Sequence, residues 1–285
     1  MSMSINTNVG AETAAIAAQR AAAMMDEAML RLSTGKRINT AADDAAGLAV
    51  ATRMAKEIAG LGQALRNAND AQGLVDTGEA ALKEVTTLLL RMREIAVSAS
   101  SDTNTDADRA ALDTEVTALE TEISRIGDQT SWGGITLFNG SVGAKASPIR
   151  FHLGPTSTNF IDVTLGVVSI AARGSDLQGS LSLTGNVTSR ANAVSYITGI
   201  DAAISIISAR RGNFGAVSNR LTSAIANLEN MKSSMVTAKG QVEDANYAEE
   251  TAKLARAQIL MQAATAMLSQ ANASQQQILQ LVQGL

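Results

Sequence analysis

The chain has 285 residues, 46% hydrophobic but only 2% aromatic, which suits long helices packed through small side chains rather than a thick aromatic core. A formal charge of −4, with Arg53, Arg66, Arg91 and Arg109 scattered among carboxylates, offers no basic field for nucleic acid, and the lack of cysteine excludes disulfides and thiolate metal sites. No basic segment followed by an apolar run opens the chain and no run of ~18 apolar residues occurs, so neither a signal peptide nor a membrane span is expected.

Ile5 to Leu32 reads as the first helix. Val9, Ile16, Ala23 and Leu30 fall seven apart, with Ala15, Ala22 and Met29 beside them and a polar stripe at Thr13, Arg20 and Glu27. Gly35 breaks the pattern. Asn39, Thr40, Asp43 and Asp44 can then accept from backbone N–H groups at a helix start. Asp43 and Asp44 are read as caps and not as a metal or acid/base pair, because adjacent side chains diverge and no histidine or third carboxylate is near. Gly35-Lys36 is no phosphate loop, since Leu30 stands where its first glycine belongs and Arg37 where Ser or Thr belongs.

From Leu48 the spacing of three and four runs through Ala51, Ala55, Ile58, Gly62 and Leu65. After a polar patch at Asn67, Asn69 and Asp70 it returns at Ala81, Val85, Leu88, Met92, Ile95 and Ala99. Ser100 to Asp108 is a polar break in which Asp106 can cap the next helix, whose seam is Leu112, Val116, Leu119, Ile123 and Ile126. The strand-like region follows. Ile135 to Phe138 leads into an Asn139-Gly140 turn, and Ile149 to Leu153 and Phe160 to Leu165 alternate, so a small antiparallel hairpin or sheet is expected.

His152, the sole histidine, sits in a strand with no catalytic partners near it. The Gly-, Ser- and Thr-rich stretch Ser169 to Ala193 reads as a short surface excursion, and the sequons at Asn139, Asn186 and Asn272 match a pattern common by chance. A further helix carries Ile197, Ile200, Ile204, Ile207, Arg211, Phe214, Ser218, Leu221, Ile225, Leu228, Lys232 and Met235. Its three polar members would be defects in a two-stranded coil but are tolerable in a bundle that contacts other subunits.

The last stretch, Leu254 to Leu285, places Leu254, Met261, Leu268, Gln275 and Val282 in one heptad row and Ala257, Ala264, Ala271, Ile278 and Leu285 in another. A third row, Leu260, Met267 and Leu281, widens the stripe beyond a two-stranded seam. Exposed alone, such a helix would leave a large apolar face in water, so it is expected to be buried by the first helix and by further copies of the chain.

Several motifs carry a resemblance. Ile5-Asn6-Thr7-Asn8, Arg31 to Asn39 running into Asp43-Asp44-Ala45-Ala46-Gly47, and Arg66-Asn67-Ala68-Asn69-Asp70 resemble the N-terminal region of bacterial flagellin. Leu221 to Leu228, Glu243 to Ala248, and Ala255 to Leu260 with Gln262-Ala263 resemble its C-terminal region. The likeness covers roughly 1–140 and 194–285 and implies a flagellar filament subunit with no catalytic, cofactor or metal site. The implied fold is mainly α, a coiled-coil rod of a terminal helix pair plus a helical bundle, with a small β-hairpin region. Implied divisions are an inner-core helix (1–33), a linker (34–47), the bundle's first part (48–130), the hairpin region (131–168) and a variable segment (169–193). The bundle's second part (194–239) and a linker with the C-terminal inner-core helix (240–285) complete it.

Subunit packing is assigned to Val9, Ile16, Ala23, Leu30, Leu254, Met261, Leu268, Ile278 and Val282. Implied partners are copies of the chain, hook-associated junction and cap proteins and an export chaperone, with neither nucleic acid nor membrane. Export through the flagellar type III apparatus as an unfolded chain, terminal helices disordered before assembly and an extracellular filament are implied too. Leu89 to Val97 resembles the stretch that vertebrate Toll-like receptor 5 recognises in some flagellins. Arg91 and Glu94 match, with Glu115 on the neighbouring helix, whereas Leu90 replaces a polar residue, and the same residues are read first as filament contacts. A hook–filament junction protein is the rival reading. An enzyme borne on a filament is disfavoured by the short insert, which lacks a zinc or nucleophile motif.

Overall fold

The computed structural model describes residues 7–139, 149–154, 159–165, 168, 183 and 185–283, with side chains described to residue 277. Nine elements are described: α1 (Val9–Thr34), α2 (Ala45–Ala99), α3 (Asp106–Gln129), β1 (Ser131–Trp132), β2 (Ile135–Thr136), β3 (Ile149–His152), β4 (Phe160–Val163), α4 (Arg190–Glu243) and α5 (Tyr247–Gln283). The mainly α architecture with small antiparallel strand pairs is the one expected. Two compact units divide the chain, Met1–Glu57 with Ser234–Leu285, and Ile58–Ser233.

In the first unit, α1 starts where Asn8 accepts from the Ala11 N–H and stops at Gly35, whose left-handed φ of 71° lets its N–H close on the Arg31 carbonyl. Beyond it the chain runs against the segment between α4 and α5. Arg37 N–H donates to the Glu243 carbonyl at 2.7 Å, and Ala245 N–H to the Gly35 carbonyl at 2.9 Å. The expected caps divide their roles here. Asp43 Oδ2 accepts from the N–H groups of Asn39 and Thr40 and from the Thr40 hydroxyl, while Asp44 accepts from Gly47 N–H at the start of α2. Asn39 and Thr40 are therefore donors into the turn and not caps, because Asp43 closes the loop over them.

The second unit is built on the expected seams. Val85, Met92, Ile95 and Ala99 of α2, Val116 and Ile123 of α3, and Ile200, Ile207, Phe214 and Leu221 of α4 meet in one buried cluster. α2 is helical straight through the polar patch at Asn67, Asn69 and Asp70, because Ala68 and Ala71, interleaved with it, are fully buried. α4 is long and apolar enough by composition to cross a membrane, and its Ile200, Ile207, Phe214 and Leu221 pack into this core.

Thr105 caps α3, not Asp106. A capping box joins Thr105 and Asp108, and Asp106 instead bonds Arg109, whose buried guanidinium also donates to the carbonyls of Ala99 and Ser101. The strands form two separate pairs. β1 and β2 turn on Gly133 and Gly134, both at positive φ (56° and 83°), as a two-residue hairpin needs. β3 and β4 pair Ile149 with Val163 and Phe151 with Ile161. The expected turn at Asn139-Gly140 lies partly outside the described residues.

The segment Ser169 to Ala193 lies mostly outside them too, but its described end is no surface excursion. Leu183, Val187 and Ala193 are buried in the cluster, and Val187 N–H donates to Asp113. Spaced apolar residues among the Ser, Thr and Gly give that end something to bury.

Candidate assembly surface

α1 and α5 lie antiparallel, and what joins them is alanine. Ala14, Ala21 and Ala28 of α1 and Ala257 and Ala264 of α5 are the buried apolar residues of the pair, flanked by half-buried Leu254, Met261, Leu268 and Ala271. Methyl groups permit close approach of two helices but contribute only about 0.8 kcal/mol each on burial. Polar contacts fix the register at both ends. Asn8 donates its side-chain amide to the Ala271 carbonyl at 3.2 Å, and the Tyr247 hydroxyl donates to the Leu32 carbonyl at 3.1 Å. Beside Tyr247, the buried Glu250 accepts from Arg31 at 3.4 Å and from Lys253 at 2.9 Å.

Val9, Ile16, Ala23 and Leu30, the heptad row read as its packing stripe, face away from α5. Val9 is 63% exposed and Leu30 49%. Larger residues dominate a hydropathy reading, whereas a tight two-helix contact selects the smallest side chains, and on α1 those lie on the other face. On α5 the described members of the two expected rows, Leu254, Met261, Leu268, Ala257, Ala264 and Ala271, face α1, and those of the third do not. Met267 is 63% exposed, Leu260 44%, and Ile259 beside them 66%. Ile278 and Val282 belong to α5, but their side chains lie outside the described residues.

A groove of 940 Å³ runs along one side of the pair, lined by Ile16, Ala17 and Met24 from α1 and Leu260, Ala263 and Met267 from α5. The pair therefore buries its alanines internally and presents Val9, Ile16, Met24, Leu30, Leu260 and Met267 to solvent. No other described surface combines so many exposed large apolar side chains on two neighbouring helices.

Electrostatics place the polar work at the join rather than on these faces. Glu243 is held below the ordinary carboxylate range, first by a hydrogen bond from Lys239 at 2.8 Å and then by one from Lys36, whose own value is raised by the same contact. In the second unit, Arg91 donates to Glu115 at 2.8 and 3.2 Å and to Glu94 at 3.2 Å, so the three residues singled out in the sequence do meet on an exposed face of α2 and α3. His152 is exposed, and its carbonyl accepts from Asn67. Among the described residues no cluster of three or more His, Asp or Glu could hold a metal.

Residues 5–142 match the family description of the bacterial flagellin N-terminal helical region, and residues 197–282 that of the C-terminal helical region. The chain belongs to the bacterial flagellin family. It is 39% identical over 256 residues to a flagellin of Halalkalibacterium halodurans, covering 90% of this chain and 91% of that one. The crystal structure of Bacillus cereus flagellin is similar at 29% identity and a TM-score of 0.49, over 57% of this chain and 88% of that chain. A Vibrio parahaemolyticus chain described as a flagellar hook-associated protein shares the fold at 17% identity and a TM-score of 0.53, over 71% of this chain and 100% of that one.

Proposed function

We infer that the chain is the structural subunit of the flagellar filament, an extracellular polymer of many copies, and that the outward rows of α1 and α5 are its inner packing surfaces. One observation carries the reading. The α1–α5 pair closes through alanine and leaves Val9, Ile16, Leu30, Ile259, Leu260 and Met267 exposed, an apolar face that a free monomer has no means to cover. Neighbouring copies can cover it, and heterologous contacts that do not close propagate as a helix.

Family membership supports a structural and not a catalytic role. Leu254, Met261 and Leu268 then serve the intramolecular seam, and Val9, Ile16 and Leu30 the contacts between subunits. The thin seam suits terminal helices that are loose before assembly and set within the polymer, after export as an unfolded chain. Further partners follow from the same reading: junction and cap proteins at the two ends of the filament and a chaperone before export. The Arg91, Glu94 and Glu115 cluster is read as a contact between subunits, ahead of recognition by Toll-like receptor 5.

Electron microscopy of purified chain added to short filament seeds separates the filament subunit from a junction protein. Long continuous filaments are expected, and growth that stops after one layer would overturn the reading in favour of the junction.

A further inference from the structure

Two of the three polar residues in the apolar row of α4, Arg211 and Ser218, lie one heptad apart. Both find partners inside the chain. Arg211 donates to Glu79 of α2 at 2.7 Å, and Gln72 of α2 donates to the Ser218 hydroxyl at 2.8 Å. Gln72 and Glu79 are also one heptad apart, so the two antiparallel helices carry matching polar ladders. Between the rungs lies a steric match. A Cβ on Gly78 would sit 2.7 Å from the Phe214 ring, so the ring occupies a notch that only glycine leaves open.

We propose that these three contacts form a register lock between α2 and α4. It selects a single axial alignment of the two longest helices, at the expense of stability, against alignments one heptad away. In either shifted alignment Phe214 would face Ala71 or Val85 rather than Gly78, and Arg211 would lose its carboxylate. The apolar residues around these positions repeat with nearly the same spacing and would not distinguish the alignments, whereas a polar residue at one heptad position of the seam, here half-buried, fixes register. The cost is visible in the lock itself: Gln72 Oε1 and Glu79 Oε2 are buried and accept no hydrogen bond among the described residues. An all-apolar seam would not carry that penalty. A slip of one heptad displaces one helix by about 10 Å along the other, enough to dislocate every surface the two helices share.

The test needs only the monomer, so it stands apart from filament formation. Because the chain has no cysteine, Lys83→Cys with Asn213→Cys gives one spin-label pair spanning α2 and α4. A single distance peak is expected in this background. Adding Gln72→Leu, Glu79→Leu, Arg211→Leu, Ser218→Leu and Phe214→Leu removes all three contacts and should preserve helical content and add a second peak. A single unchanged peak in that folded variant would overturn the lock. Glu79→Arg keeps the test decisive if the apolar variant does not fold. It should broaden the distribution, and Glu79→Arg with Arg211→Glu should restore the single peak; failure of the reciprocal pair to do so would overturn the proposal.

Discussion

Asn8 serves both ends of the chain at once: its Oδ1 accepts from Ala11 N–H at 3.0 Å to start α1, and its Nδ2 donates to the Ala271 carbonyl at 3.2 Å on α5. The two roles separate by substitution. Asn8→Asp keeps the acceptor and loses the donor, whereas Asn8→Ala loses both. Asn8→Ala should destabilise the first turn of α1 by about 1 kcal/mol, the usual worth of an N-cap, and Asn8→Asp by less. Hydrogen exchange at the first turn of α1 in the polymer reads the order, and equal protection in all three chains would contradict the dual role.

Ala21 is fully buried at the middle of the α1–α5 seam. Ala21→Leu should drive the helices apart at a cost of about 1–3 kcal/mol, as overpacking does elsewhere. Seeded elongation should slow markedly, although leucine is the more hydrophobic residue and a good helix former. Elongation at the original rate would show that α1 and α5 do not approach this closely.

Glu243 ties Lys36 to Lys239 where the two interhelical segments meet. Its folded-state value lies below the unfolded one, so its contribution is complete above the ordinary carboxylate range and is lost as pH falls through the depressed value. Glu243→Gln removes that contribution. Its melting temperature should lie below that of the natural chain at neutral pH, with the difference shrinking towards zero in acid. A constant difference at all pH values would assign Glu243 a packing role without charge.

Gly127 lies in α3 with the Val168 carbonyl so near that an added Cβ would overlap its oxygen, whereas Gly62 in α2 has nothing within 4 Å. Gly127→Ala should cost about 3 kcal/mol or more, since backbone and not a flexible side chain must give way. Gly62→Ala should stabilise the monomer by up to about 1 kcal/mol through helix propensity. Urea unfolding of both variants checks the contrast, and similar midpoints would refute it.

The sequence made the seams of the second unit legible because its core helices bury Leu, Val, Ile and Met at regular spacing; Val85, Met92, Val116, Ile123, Ile200 and Ile207 all fall where their periodicity puts them. The Leu254, Met261 and Leu268 row of α5 is legible for the same reason. The pairing face of α1 was not, since there the deciding quantity is smallness, and Ala14, Ala21 and Ala28 carry little weight beside Ile16 and Leu30. Thr105 was masked by the acidic residues following it, although its three-residue spacing to Asp108 is a capping-box signal. The β1–β2 hairpin was legible in principle from Gly133-Gly134. What hid it was Trp132, whose ring rests where Gly73 of α2 leaves room, a contact 59 positions distant in sequence that no local pattern announces. Arg109 was read as one scattered charge, and only the fold reveals it closing the end of α2.

The most direct test of the outward rows of α1 and α5 is seeded elongation of Ile16→Asp and Met267→Asp, with circular dichroism of each monomer as the control. Both side chains are exposed in the single chain, so a carboxylate there should leave helical content unchanged. On a surface that polymerisation dries, the same carboxylate would be buried without a partner at a cost of several kcal/mol. Folded monomers that fail to extend seeds are the predicted result; elongation by both variants at the original rate would contradict the assignment of these rows as the packing surface.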